Sequence, residues 1–127
     1  MTEVTPQLFS RYVKKALQDL PEEFRNKLEN VEVLIEDFAD DETLDDLGLE
    51  SPFQLLGLYV GVPITRQSVF SANPLPDRIF LYRIPILQGA RDKQSIIRRI
   101  REVVIHEVGH HFGFDDPQLE RMEEGTD

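Results

Sequence analysis

The sequence predicts an α+β fold in a single domain spanning residues 1–127, with helices towards both ends and strands between them. Apolar residues recur at helical spacing near the N-terminus and again ahead of the C-terminal segment, whereas short β-branched runs lie in the middle. A chain of 127 residues is long enough for one proper hydrophobic core and too short for an ample second lobe. All elements are therefore expected to share one core.

The first helix is predicted over residues 6–20. Thr5 suits the N-cap position and Pro6 the first helical position, and apolar residues follow at helical spacing. Pro21 then restarts a shorter helix that carries Phe24 on its apolar side. One apolar stripe is what any packed helix shows, so both helices are expected to cover a sheet rather than to bind a partner.

Three segments have strand character. Residues 31–38 are β-branched and partly alternating, and residues 55–65 predict a hairpin or a bulged strand because Gly and Pro interrupt them. Residues 78–87 form the strongest strand pattern. Pro85 cannot donate to a ladder, so this third strand is expected to have an edge facing solvent or a ligand.

Two loops are predicted between these strands. Residues 39–51 are crowded with Asp and Glu, but the regular calcium-binding loop of alternating acids is absent. This acidic segment is therefore predicted to be a solvated, mobile loop. Residues 71–77 have the Ser, Asn and Pro content of a turn-rich loop.

Composition narrows the classes of partner and the compartment. The chain has 24 acidic and 14 basic residues, a formal net charge of −10. Nucleic acids and anionic membranes require Lys and Arg to neutralise phosphates, so neither is an expected partner. The chain has no cysteine, which excludes disulfides and thiolate metal sites. Without a signal-peptide pattern or an apolar run of about 18 residues, a cytoplasmic location is predicted.

The last predicted helix begins after Asp92 and runs to about Phe112. Its broad apolar face consists of Ile97, Val104, Ile105, Val108 and Phe112. Its polar edge, expected to meet solvent or acidic loops, consists of Arg98, Arg99, Arg101 and Glu102. A helix that is apolar over so much of its circumference is buried, and histidines on it need a hydrogen-bond partner or a metal.

This helix carries the motif HExxH, which is typical of zinc peptidases. His106 and His110 lie about 40° apart on the helix and one turn along its axis, so both imidazoles can reach one cation. Glu107 falls about 60° beyond His110, close enough to hold a metal-bound water without ligating the metal. A catalytic zinc takes three protein ligands and keeps one position for water, so a third ligand is needed.

Candidates for the third ligand follow the motif. Gly113 can take the left-handed conformation that ends a helix, after which the chain can fold back and present the carboxylate of Asp116. Asp115 is the competitor, although the spacing favours Asp116. His111 points some 100° away from His110 and is expected at the surface or behind the ligands. Three more distant acids would need a second helix returning to the site; they are Glu120, Glu123 and Glu124.

The full pattern HExxHxxGxxD, from His106 to Asp116, resembles the metzincin-type zincins with Asp in place of the third His. More closely, the chain resembles a small bacterial family of minimal zincin-like zinc metallopeptidases. That likeness includes residues 56–63, Leu-Gly-Leu-Tyr-Val-Gly-Val-Pro, residues 75–83, Leu-Pro-Asp-Arg-Ile-Phe-Leu-Tyr-Arg, and the helix leading into the motif. It covers most of the chain, more weakly over the N-terminal part. The chain departs from metzincins in lacking a clear Met-turn, because Met122 lies in a helical context.

The resemblance implies an α+β zincin core, in which a small mixed sheet packs on the active-site helix and the N-terminal helices. It implies Zn²⁺ on His106, His110 and Asp116, with Glu107 as general base. The expected function is zinc-dependent hydrolysis of peptide bonds in a peptide or flexible protein segment. The alternative is a catalytically silent zinc-binding protein with a structural or partner-binding role. Glu107 favours the enzyme, because a structural zinc site needs no base and usually has four protein ligands.

The resemblance also places the strand ahead of the active-site helix, predicted over residues 78–87, along the cleft beside an extended substrate. Three side chains near that cleft are candidates to stabilise the oxyanion, namely Tyr82, Arg83 and His111. The sequence does not choose among them.

Overall fold

The computed structural model describes residues 4–61 and 75–113 and confirms the α+β fold. The helices and strands, in chain order, are α1 Pro6–Gln18, α2 Glu22–Lys27, β1 Val31–Glu36, α3 Asp41–Asp46, β2 Gly57–Val60, β3 Asp77–Tyr82, α4 Arg83–Gln88 and α5 Lys93–His111. A 3₁₀ turn at Pro52–Gln54 precedes β2. No helix among these residues is long and apolar enough to cross a membrane.

The strands form one mixed sheet in the order β1-β3-β2. The central strand β3 runs parallel to β1 and antiparallel to β2. Ile79 lies opposite Val33 on one side and Tyr59 on the other, so these three side chains share a face of the sheet. The small mixed sheet that the resemblance implied is therefore present.

The two faces of the sheet pack against different elements. On one face Ile79 and Leu81 join the main core, with residues of α1, α2 and α5. On the other face Tyr82 packs with Ala39 and with Leu44 of α3. Because residues two apart along a strand share a face, Asp77 and Tyr59 lie on the same side of the sheet as α5.

Helix α5 begins and ends where the sequence predicts. The side chain of Asp92 accepts a hydrogen bond from the Ser95 amide at 2.8 Å, and the Ser95 hydroxyl accepts one from the Asp92 amide at 3.0 Å. Gly113 follows the last turn with φ +85°, the left-handed conformation expected there. Two side chains depart from the predicted faces: Arg101 is buried and Phe112 is exposed. Arg101 lies one turn from Ile105 on the packed side, whereas Phe112 follows the last helical residue.

The strand predicted over residues 78–87 is wrong at its C-terminal end. It stops at Tyr82, and α4 follows at once with Pro85 buried in its first turn. Proline is tolerated there because the amides of a first turn have no partner within the helix. Since β3 is the central strand, the predicted free edge on it is also wrong. Among the strands that residues 4–61 and 75–113 contain, the one at the sheet edge beside α5 is β2.

The acidic segment over residues 39–51 is not the solvated loop that its composition predicts. It contains α3, and Leu44 on that helix is buried. The Asp40 carboxylate accepts a hydrogen bond from the Thr43 amide at 2.7 Å, and two acids occupy the first turn, where the helix dipole favours negative charge. Some predictions concern residues that the structure does not describe. They are those for residues 62–65, for most of the loop over residues 71–77, and for Met122.

Candidate metal centre

Helix α5 presents His106 and His110 as a pair. Their ring centroids are 5.6 Å apart and their planes are inclined by 80°. Two imidazoles bound to one tetrahedral zinc would have ring centres roughly 5 Å apart, so the pair suits a shared cation. His106 is half-buried and His110 is exposed. Two of the three predicted metal ligands are therefore placed together.

The third ligand remains a prediction. Asp115 and Asp116 lie outside the described residues, as do the three more distant glutamates. Over residues 4–61 and 75–113, no group of three or more His, Cys, Asp or Glu side chains is arranged to hold a metal. Helix α5 ends at His111, and Gly113 follows in a left-handed conformation three residues after His110. The sequence predicts a change of chain direction at this glycine, ahead of Asp116.

Glu107 lies between the histidine pair and the edge strand β2. A Cβ on Gly57 would lie 3.7 Å from Cγ of Glu107, so the backbone of β2 passes close to this side chain. Burial raises the pKa of Glu107, although the Tyr59 amide and the two histidines act in the opposite direction. A carboxylate with a raised pKa is a stronger base than one in water.

The edge strand approaches α5 so closely because Gly57 has no side chain. A Cβ there would lie 2.5 Å from Cγ1 of Val103 and 3.1 Å from the backbone oxygen of Phe80. Val103, Glu107 and His111 are spaced one helical turn apart, so one stripe of α5 faces β2. This stripe adjoins the one that carries the histidine pair.

His111 contacts two residues that the sequence analysis did not single out. Its ring stacks on Tyr59, with centroids 4.0 Å apart and planes inclined by 24°. The Tyr59 hydroxyl donates to Oδ2 of Asp77 at 2.7 Å, and Nε2 of His111 lies 3.8 Å from the same oxygen. Burial, and then Asp77, raise the pKa of Tyr59, which keeps its hydroxyl protonated as a donor. The sequence offered one signal for Tyr59 and Asp77. Each lies in one of the two segments that carry the family resemblance, residues 56–63 and 75–83.

The other two oxyanion candidates have structural partners. Tyr82 lies on the face of the sheet away from α5, and burial, followed by the charges of nearby carboxylates, raises its pKa to about 12. Arg83 donates from Nε to Asp37 at 2.8 Å and from Nη1 to the Val4 carbonyl at 2.8 Å. Arg83 is therefore bound into the fold, whereas Tyr82 is close enough to Glu107 for the charge of that carboxylate to contribute to its raised pKa, so Tyr82 stays a candidate.

A cavity of about 290 Å³ opens beside Glu107 and His106. Its apolar wall includes Leu55 and Val103, and its polar rim includes Arg99. The Arg99 guanidinium is itself held by the Ile86 carbonyl at 2.8 Å. The cavity is of a size to receive a side chain and is mainly apolar, as ligand pockets in proteins usually are.

Comparisons with known proteins bear on the fold and the family of the chain. The chain is similar in fold to a conserved hypothetical protein from T. thermophilus, with 24% identity and a TM-score of 0.54 over 92% of this chain and 99% of that one. The comparison with curated proteins gives no match. A sequence model of the zincin-like metallopeptidases matches residues 28–126, which include the HExxH motif, β2 and β3. The chain therefore belongs to the zincin-like metallopeptidase family.

Proposed function

We propose that this protein is a zinc-dependent peptidase that hydrolyses peptide bonds in peptides or flexible protein segments. The observation that carries the proposal is the placement of Glu107 next to the His106–His110 pair and against the edge strand, where a Cβ on Gly57 would lie 3.7 Å from Cγ of Glu107. A structural zinc site has no need of a base held in this way. Family membership supports the same function.

The residues that would hold zinc are His106, His110 and Asp116, with Asp115 as the competing carboxylate. Zinc bound there would supply Lewis acidity and lower the pKa of a water towards about 7. Glu107 accepts the proton of the attacking water and returns it to the leaving amine. Burial, which raises the pKa of Glu107, strengthens the carboxylate as a base.

The geometry of β2 supports an extended substrate along this strand rather than along β3. The Tyr82 amide donates to the Leu56 carbonyl at 2.9 Å, so Leu56 and Leu58 direct their backbone groups towards β3. Gly57 and Tyr59 direct theirs to the opposite side, which is free of β3. A peptide strand beside Gly57 would have a side chain next to the 290 Å³ cavity.

The proposal is tested by a cleavage assay with zinc-loaded protein and a mixed library of unfolded peptides. We expect cleavage that a chelator abolishes and added zinc restores. A mixed library is required because a narrow cleft can reject any single test peptide. Zinc-loaded protein that cleaves no peptide in the library would instead favour the silent zinc-binding protein.

A second prediction concerns the third ligand. Asp116→Ala is expected to lose most of the bound zinc, whereas Asp115→Ala is expected to retain about one zinc per chain, because a catalytic site needs three protein ligands. Metal analysis after dialysis against the same buffer compares the two variants directly. Zinc retained in the Asp116 variant and lost in the Asp115 variant would show that the neighbouring carboxylate is the ligand.

A further inference from the structure

The cavity beside His106 and Glu107 has a cation on its polar rim, at the end away from the motif. Arg99 lines the cavity seven residues before His106 on α5, two helical turns or about 10.5 Å along the axis. Between them the wall consists of Val103 on the helix and of residues 54–57 at and before the start of β2. A side chain that enters next to the motif would therefore meet apolar groups first and a guanidinium last.

The guanidinium of Arg99 is held in place by the neighbouring helix α4. Its Nε donates to the Ile86 carbonyl at 2.8 Å, and its Nη2 lies 3.5 Å from the Pro85 carbonyl oxygen. Gly89 makes room for this arrangement, because a Cβ there would lie 2.6 Å from Cζ of Arg99 and 2.7 Å from both Nη atoms. The side chain is also half-buried. A group that is fixed in advance loses little freedom when it binds a ligand.

The guanidinium of Arg99 keeps donors and charge for a further partner. It has five N–H donors, and the two carbonyls are neutral and accept from two of them. Within residues 4–61 and 75–113, no carboxylate forms an ion pair with Arg99. A carboxylate is the partner that best fits a guanidinium, because its two oxygens can accept two parallel N–H bonds.

The helix places the acidic residues of the cavity to either side of this arginine. Among the described residues that line the cavity, the carboxylates belong to Glu102 and Glu107. Arg99 lies about 20° from His106 and about 40° from Val103 around the helix. Glu102 lies about 60° from Arg99 and about 140° from Glu107, so it borders the cavity on the side away from β2. The line from the motif into the cavity thus ends at Arg99, with Glu102 on its flank.

We propose that this cavity selects substrates with an acidic residue beside the cleaved bond, glutamate before aspartate, and that Arg99 binds the carboxylate of that residue. The inference rests on the proposed peptidase function and names its substrate class. The longer side chain is favoured because two helical turns separate Arg99 from His106. The net charge of −10 repels acidic peptides at long range, so the preference depends on this local cation.

The first test compares peptides that differ only by Glu or Gln, placed at each position in turn, with free and with amidated C-termini. For zinc-loaded protein we expect kcat/KM at the selected position to be roughly tenfold higher with Glu, because hydrogen bonds between charged groups are the stronger ones. Arg99→Met should bring this ratio to about one. Arg99→Lys should keep part of it, because the charge remains while the planar fork is lost.

Two further variants serve as controls on charge. Glu102→Gln removes a like charge from the flank of the cavity and should raise the preference for Glu over Gln. Arg98→Met removes the same charge as Arg99→Met from an exposed position one residue away, and it should leave the preference unchanged.

A second readout does not depend on activity. The side-chain Nε–H of Arg99 is followed by NMR in zinc-loaded protein while acetyl-Ala-Glu-Ala-amide or acetyl-Ala-Gln-Ala-amide is added. We expect the Glu peptide to shift the Arg99 resonance several times further than the Gln peptide at the same concentration. The Nε–H of Arg83, which donates to Asp37 at 2.8 Å, is the internal control and should not move with either peptide.

The two readouts separate this inference from the peptidase proposal. If the zinc-loaded wild type cleaves nothing, the peptidase proposal fails, and the NMR titration still tests the cavity. If it cleaves Glu and Gln peptides with equal kcat/KM, the peptidase proposal stands and the role of Arg99 is overturned. A preference that survives in Arg99→Met would overturn it as well, as would equal shifts of the Arg99 resonance with both peptides. A preference confined to peptides with a free C-terminus would overturn the assignment to a side chain in favour of the terminal carboxylate.

Discussion

Glu107→Gln is expected to keep the fold and the zinc while losing hydrolysis by about 10²–10⁴-fold. The amide is nearly isosteric with the carboxylate and leaves both histidines untouched. It cannot accept the proton of the attacking water. The measurements are zinc content, the thermal melt and the cleavage rate of the peptide library, made on the same preparation.

The control for this variant removes the same charge elsewhere. Glu29 is exposed and follows α2, and Glu29→Gln should behave as the wild type in all three measurements. Glu107→Gln that cleaves as fast as the wild type would show that another group accepts the proton. Loss of zinc together with activity would show that Glu107 contributes to metal binding rather than to proton transfer.

Gly57→Ala is expected to separate the edge strand from the active-site helix. The new methyl group would meet Cγ1 of Val103 at 2.5 Å and the Phe80 carbonyl at 3.1 Å, and a backbone oxygen within the sheet cannot rotate away. Overpacking of this kind costs about 1–3 kcal/mol of unfolding free energy. Activity should fall by roughly 10²-fold, because the strand that positions Glu107 is displaced.

The rescue experiment combines Gly57→Ala with Val103→Ala. Removing Cγ1 of Val103 makes room for the new methyl group. The double variant should therefore lose less unfolding free energy than the two single variants lose in sum. Urea unfolding of the wild type, both single variants and the double variant measures this coupling. If Gly57→Ala is as stable and active as the wild type, β2 does not lie as close to α5 as the structure shows.

The parts of the fold that local signals define could be predicted, and those that depend on distant contacts could not. The ends of α5 follow from Asp92 and Gly113, whose roles depend on residues three or four positions away. The run over residues 78–87 is apolar almost throughout, and such a run suits a buried strand and a buried helix equally. The order of the strands, which makes β3 central, depends on pairing between distant segments.

The same distinction holds at the site. His106, Glu107 and His110 could be predicted because one helix spaces them, and the spacing is the motif. Tyr59 and Asp77 are 18 residues apart and meet only after β2 pairs with β3. Their hydrogen bond could not be predicted from the spacing of apolar residues, because that spacing reports local structure only. Their segments contribute to the resemblance, but a resemblance does not say which atoms touch.

The location of both histidines on α5 has a consequence for the order of folding. Helical contacts are local and form early, whereas the parallel pairing of β1 with β3 must close a long loop first. The nascent helix can therefore begin to bind zinc before the sheet has assembled, while Glu107 gains the edge strand as its neighbour only when β2 docks. We expect metal capture to precede acquisition of activity during refolding, with an intermediate that binds zinc weakly and cleaves nothing.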